Sequence, residues 1–284
     1  MKKLLVMFLL VLSFAFMTGC KEEKIEGLIE QGKLYVGTST DYAPYEFIDL
    51  TKTGQDKYVG SDIELAKAIA DKYDLELVIK VMAFDVVLTA LDTNKIDVAI
   101  SGFTYEEDRA ANYLFSNSYF DEGEGDQILV FNKDKKDIYT SLEAMNNSNV
   151  KVGAQNGSVQ QSLVEDQLPN ATIIAFEDIN NAFTALNSGQ YDAIALSQTS
   201  AESMLTAADN SDLMMSSFEF EIEDSCLYVI MKKGNTALAE KVNVVCDQAA
   251  NGLYEQWINA AKNLYANLGS NAGELIPEEE EETE

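Results

Sequence analysis

Apolar and polar positions along this chain alternate between two periods, one that fits short strands and one that fits helices. Residues 34–38 read as a first strand, Asp62 as the N-cap of a helix over 63–73, residues 75–81 as a second strand, 84–91 as a second helix and 96–100 as a third strand. The order then starts again. Residues 150–153 read as a strand, Ser158 as the cap of a helix to about 167, then 172–176 as a strand, 179–187 as a helix and 191–196 as a strand. Strand and helix in alternation predict α/β architecture, and the restart predicts two similar lobes.

A local self-similarity sharpens the repeat. Thr89-Ala-Leu-Asp-Thr-Asn-Lys-Ile-Asp97 and Thr184-Ala-Leu-Asn-Ser-Gly-Gln-Tyr-Asp192 share Thr-Ala-Leu and an aspartate at equal spacing, and each leads into an apolar strand that ends in serine, Ser101 or Ser197. The match supports two similar lobes; convergent helix–turn–strand chemistry is the bland alternative, and two copies are too few for a solenoid. If the lobes face each other, both serines point into the cleft between them, where small ligands most often bind.

The amino terminus sets the compartment. Lys2 and Lys3 precede an apolar run, 4–16, and then Met17-Thr18-Gly19-Cys20, a pattern similar to a bacterial lipobox. It implies that 1–19 is a signal peptide and that Cys20 is lipidated, tethering the protein to the outer face of the cytoplasmic membrane or facing a periplasm. The remainder is long enough for two lobes, with the 46% hydrophobic content of a globular chain. Its formal net charge of -28 argues against nucleic acid as a partner. No histidine is present, which removes the usual general base and metal ligand, and no phosphate loop or dinucleotide fingerprint is found. The sequence therefore predicts neither a cofactor nor a metal. Cys226 and Cys246 could form a disulfide or stay as buried thiols.

Arg109 is the one arginine in the chain. Its planar fork suits a carboxylate, and Ser101, Gly102 and Thr104 just upstream make an anion cradle at a strand's carboxyl end. A local ion pair with Glu106, Glu107 or Asp108 is the bland alternative.

Taken in order, Leu34-Tyr-Val-Gly-Thr38, Tyr42-Ala-Pro-Tyr-Glu-Phe47, Gly60-Ser-Asp62, Phe84-Asp85, Ile96-Asp-Val-Ala-Ile-Ser-Gly102, Arg109, Gly157-Ser158, Asp192-Ala-Ile194 and Tyr254-Glu-Gln-Trp257 resemble the amino-acid-binding family of extracellular solute-binding proteins. The resemblance implies a periplasmic-binding-protein-like α/β fold, two lobes joined by two crossover strands and closing on a ligand by a hinge. The lobes would be 33–122 with 224–265, and 125–221, following an anchored linker at 20–32. The resemblance further implies a monomeric receptor that hands a small carboxylate-bearing solute, an amino acid first of all, to an ABC importer permease. Arg109 would clamp the α-carboxylate with Thr104, Ser101 and Gly102, whose amide stays available to donate. Tyr42 and Phe84 would sandwich the side chain, and Ser158 and Val159 would close from the second lobe.

Two departures matter. Relatives often hold the α-ammonium with two aspartates, and those positions read Ser39 and Ser197 here. Either Asp41 substitutes, or the ligand is an amine-free organic acid. A different class also stands open, an enzyme on the same fold such as a prephenate- or arogenate-type dehydratase, which would need paired acids; Asp41 and Glu46 are not obviously paired. Pocket polarity favours a neutral polar or sulfur-containing ligand side chain over a basic one. Residues 266–284 end in a run of glutamates after Pro277 and predict a disordered acidic tail.

Overall fold

The computed structural model describes residues 24–123, 127–206 and 210–273. The lipobox with Cys20, residues 124–126 of the expected crossover and the acidic end of the tail lie outside them.

Two five-stranded sheets carry the fold. The first has the order Glu76–Val81, Lys33–Thr38, Val98–Ala99, Ile230–Lys232, Tyr113–Phe115. The second has the order Thr172–Phe176, Lys151–Gln155, Ala193–Ser197, Gln127–Asn132, Leu213–Glu219. In each, the first three strands run parallel and the fourth runs against both neighbours. In each, too, the middle parallel strand comes first in sequence, so the winding reverses there and leaves a crevice beyond the strands' carboxyl ends.

The repeated aspartates explain themselves in this frame. Asp97 accepts the Tyr35 N–H at 2.8 Å, and Asp192 accepts the Lys151 N–H at 2.9 Å. The N–H of each aspartate returns to the carbonyl of the same residue at 2.8 Å. Each aspartate thus hooks the incoming strand onto the middle parallel strand of its sheet, near that strand's start, a task that needs a short acceptor at one fixed spacing.

The chain leaves the first sheet beside a two-stranded ribbon, Phe120–Asp121 against Cys226–Leu227. Every strand of the second sheet falls between the two ribbon segments in sequence. One face of the first sheet packs Leu34, Val36 and Val98 on Ile63, Leu65 and Val242; the other packs Ala99 and Ile230 with Val87, Leu91 and Phe103. The second sheet is covered likewise, by Leu163 and Val164 with Val152 on one face and by Phe183 and Leu186 with Ile194 on the other.

The expected elements recur with two differences. Residues 96–100 pair as a strand only over Val98–Ala99. Asp62 does not cap its helix, which runs over Ser61–Lys72 after Gly60. The carbonyls of Pro44 and Tyr45 accept from the Ser61 and Asp62 amides at 3.0 and 2.9 Å, so the helix start is satisfied by backbone and Asp62 turns inward. Of the two states left open for Cys226 and Cys246, the structure has free thiols, Cys246 buried and Cys226 half-buried. Burial pushes the Cys226 thiol up to about 11 and the Cys246 thiol up to about 12, which keeps both protonated and unreactive. Among the described residues no acid–cysteine cluster could hold a metal, and no helix is long and apolar enough to cross a membrane.

Gly60 sits at φ +130°, and a Cβ there would lie 2.1 Å from the Tyr45 carbonyl oxygen. At Gly189, with φ +74°, a Cβ would meet nothing within 4 Å. Urea unfolding should therefore separate the two. Gly60→Ala is expected to lose roughly 3 kcal/mol or more and Gly189→Ala about 1 kcal/mol.

Candidate functional site

The carboxyl ends of the two sheets face each other across a cavity of about 10 Å³, the size that admits one water. Tyr42, Phe84, Ser101, Gly102, Thr104 and Arg109 line it from the first lobe, and Ser158 and Val159 from the second. Ser39, Asp41 and Ser197 do not line it. Gln155 and Gln160, which the sequence reading missed, do. Gln155 is the last residue of a parallel strand at the winding reversal of its sheet, and that position was the signal that could have found it.

Arg109 lies on the short helix Glu107–Asn112 and is buried. Its Nη1 donates to the Thr104 carbonyl at 2.8 Å, and its Nη2 donates across the cleft to the Gly157 carbonyl at 3.2 Å. Nη2 also pairs with Glu106, and the guanidinium lies 5.2 Å from the Phe103 ring centre. The local ion pair and the cleft position are thus both real. Burial lowers the Arg109 pKa while Glu106 opposes the shift, and a guanidinium stays charged at any working pH.

The aromatic walls are held from behind. Tyr42 stacks on Tyr45 at 5.3 Å, and its hydroxyl accepts from the Ser197 N–H at 3.2 Å and from Gln160 Nε2 at 3.4 Å. Phe84 stacks on Phe103 at 4.7 Å. Gly102 has φ +59°, and a side chain there would press on the Tyr42 ring carbons at 3.2 Å.

Three expectations need correction. The Gly102 amide is not available to a carboxylate, because it donates to Asp62 Oδ2 at 2.8 Å. Ser197 does not offer its hydroxyl to the cleft; its Oγ caps the helix Gln198–Met204 by accepting from the Ser200 N–H at 3.2 Å. Asp41 stands behind Gln155, whose Nε2 donates to Asp41 Oδ2 at 3.0 Å, and the same oxygen accepts from the Ile179 N–H at 3.2 Å. In the second lobe Ser158 caps the helix Val159–Gln167 as expected, with its Oγ accepting from the Gln161 N–H at 3.2 Å.

Beneath the floor is a carboxyl pair. Ser101 Oγ donates to Glu46 Oε1 at 2.7 Å. Glu46 lies in hydrogen-bond contact with Asp62, which accepts from the hydroxyls of Tyr254 at 2.5 Å and Tyr119 at 3.1 Å. Burial, then the Asp62 charge, pushes Glu46 well above the usual carboxylate range. Burial raises Asp62 as well, opposed by its donors Tyr254, Gly102 and Tyr119. The acid partner of Glu46 is Asp62, a residue the sequence reading took for a helix cap.

The sequence profile of the bacterial extracellular solute-binding proteins, family 3, matches residues 34–260. The ABC transporter arginine-binding protein 1 of Escherichia coli (strain K12) is 28% identical over 194 residues, covering 68% of this chain and 70% of its own. Among solved structures, the amino acid ABC transporter substrate-binding protein AbpA of Streptococcus pneumoniae Canada MDR_19A, bound to L-arginine, superposes with a TM-score of 0.75. It is 33% identical and covers 83% of this chain and 96% of its own. An ancestral amino acid-binding protein, AncCDT-1, a precursor of cyclohexadienyl dehydratase, superposes with a TM-score of 0.69. It is 30% identical and covers 80% of this chain and 96% of its own.

Arg109→Ala leaves Glu106 and the carbonyls of Thr104 and Gly157 without their donor. We expect it to lower unfolding free energy by about 2–3 kcal/mol, because Glu106 remains partly solvated and can recover some hydration. Denaturant titration of the two proteins checks this; equal midpoints would contradict the contacts described.

Proposed function

Because the chain belongs to family 3 of the bacterial extracellular solute-binding proteins, we propose that it captures an α-amino acid between its lobes and delivers it to an ABC importer permease, with no chemistry on the ligand. The observation that carries this is the buried Arg109 guanidinium in a cavity walled by the carboxyl ends of both sheets. Its Nη atoms rest on the carbonyls of Thr104 and Gly157, and an α-carboxylate is a stronger acceptor than either. The start of the helix Val159–Gln167 approaches from the other side, where its dipole favours the same negative charge. Tyr42 and Phe84 would then hold the ligand side chain, with Thr104 beside the carboxylate and Ser101 forming the floor with its proton turned to Glu46.

Arg109 is the charged residue among those lining the cavity, and Gln155, Gln160 and Ser158 supply neutral polar groups. That lining favours a neutral polar side chain on the ligand. The arginine bound to the Streptococcus pneumoniae protein is the specific reason to keep a basic amino acid as a second reading. A dehydratase is disfavoured because the paired acids Glu46 and Asp62 are fully buried below Ser101 and Gly102, out of a substrate's reach.

The receptor would be a monomer, with lobes at 33–122 with 224–265 and at 125–221. It would hang from a lipid on Cys20 at the outer face of the membrane after removal of 1–19. Cys20→Ser is expected to release it from the membrane fraction into the medium or periplasm, read by fractionation.

A micromolar ligand at hundredfold excess stabilises by about 2.7 kcal/mol. For residues 21–284 that is an upward melting shift of roughly 5–10 °C. Thermal unfolding against the common amino acids and small dicarboxylates should give such a shift with a neutral polar amino acid. The shift should vanish in Arg109→Lys, which keeps the charge and loses the fork. A shift with arginine alone selects the basic reading, and a shift with amine-free acids alone replaces the substrate class.

A further inference from the structure

The acids under the cavity floor obey a donor count. Ser101 Oγ has one proton, and it points to Glu46 Oε1. The same Oγ accepts from the Ser39 N–H at 3.1 Å, and Ser39 Oγ lies 3.1 Å away as well. With the Ser101 proton committed, only Ser39 can donate in that hydroxyl pair. Glu46 Oε2 is buried and receives a hydrogen bond from no donor, although its carboxyl touches the Asp62 carboxylate. Asp62 already takes three donors, Tyr254 on Oδ1 and Tyr119 with the Gly102 amide on Oδ2, which leaves Oδ1 room for one more. Two bare carboxylates in contact with no exposure to solvent would each keep a charge that nothing balances.

We propose that Glu46 is a carboxylic acid in the folded protein, donating through Oε2 to Asp62, and that it acts as a positioning residue for the ligand cleft. Its carbonyl oxygen fixes the direction of the Ser101 proton, and Ser101 in turn fixes that of Ser39. Ser39 is half-buried, one hydroxyl away from the cavity wall that Ser101 forms, and its Oγ keeps lone pairs rather than a proton for any further partner. A serine with that polarity accepts from an N–H or ammonium donor and repels a second carboxylate. Ser197 Oγ is taken by a helix start and Asp41 Oδ2 by Gln155 and the Ile179 amide, whereas Ser39 Oγ is bonded to Ser101, which lines the cavity. The role in ligand selection rests on the amino-acid receptor reading, whereas the protonation of Glu46 does not.

The groups around the pair are all neutral or acidic. Asp62 and Asp41 face Glu46 electrostatically, and Tyr254, Tyr119 and Cys246 surround Asp62. No lysine or arginine is among them. The pKa directions agree with the geometry, since burial raises both acids and a proton held on the pair answers both. The folded state then holds a proton that the unfolded state releases above 4.5, so stability falls as pH rises from that value toward the raised pKa of Glu46.

Glutamine reproduces the acid's geometry with an amide donor and a carbonyl acceptor, which makes Glu46→Gln the decisive variant. Infrared difference spectra at neutral pH, in water and heavy water, should show one buried carboxylic acid carbonyl in the wild type that is missing from Glu46→Gln. The wild-type folding constant should also fall relative to Glu46→Gln by up to about tenfold per pH unit above 4.5. No acid band in the wild type, or a band that persists in Glu46→Gln and so sits on Asp62, overturns the proposal.

The selection arm uses whichever amino acid shifts the melt, paired with its desamino analogue. Ser39→Ala should lower the preference for the amine by roughly tenfold, the worth of one hydrogen bond to a charged group. An unchanged preference in Ser39→Ala overturns the positioning role. If no amino acid binds the wild type, the receptor reading fails while the infrared and pH arms still decide the state of Glu46.

Discussion

The carboxylate of Asp62 is the point on which the first lobe closes. Its two oxygens take donors from three separate parts of the chain: Tyr254 at the start of the last helix, Tyr119 just before the crossover and Gly102 at the end of a sheet strand. Remove that acceptor and two buried phenols and a loop amide lose their partner together, each a loss of the order of 1–3 kcal/mol. The same anchoring holds Gly102 at φ +59°, which lets the Tyr42 ring lie against the loop. The cavity floor and one aromatic wall therefore share a single origin, reached through an acid that no ligand can touch.

Closure of the cleft draws on a second set of contacts that runs between lobes. Asp41 takes Gln155 and the Ile179 amide, Glu106 takes the Ser162 hydroxyl at 2.8 Å, Asp85 takes Asn156 Nδ2 at 2.6 Å, and Tyr42 reaches Ser197. Three of the first-lobe partners are acids, and their second-lobe counterparts are amides or hydroxyls rather than cations. Such pairs orient the lobes without the deep Coulomb well that would lock them, as a joint that opened and shut on a ligand would require. The last helix adds to the joint, since the Tyr265 hydroxyl meets Met204 Sδ at 3.4 Å.

Much of the architecture was legible because strand and helix periods are strong signals and the repeat doubles them. Thr172–Phe176 and Ile179–Asn187 fall where the pattern placed them, and the paired aspartates of the repeat turned out to do one hydrogen-bonding task twice. The position of Arg109 followed from its being the odd cation out. What resisted reading was polarity within the fold. Asp62 has every sequence mark of a helix cap, yet the cap is supplied by carbonyls eighteen and seventeen residues upstream, a contact that only tertiary structure reveals. Ser101 and Ser197 look equivalent by spacing, but one opens on the cavity and the other closes a helix, because a helix begins directly after Ser197 and none begins after Ser101. Gln155 and Gln160 carry no motif at all.

The placement of Ile230–Lys232 inside the first sheet, between Val98–Ala99 and Tyr113–Phe115, has a consequence for how the molecule comes to exist. Its neighbours are made more than a hundred residues earlier in synthesis, and the whole second sheet lies in the interval. That second unit has all its strands in one continuous stretch and can assemble early, while the first must wait with a gap in its middle until the chain comes back. Closing so long a loop is slow, and in the meantime the facing edges of two strands stand unpaired. The order of events is therefore the reverse of the order of translation: the lobe that begins the sequence is the one that finishes last.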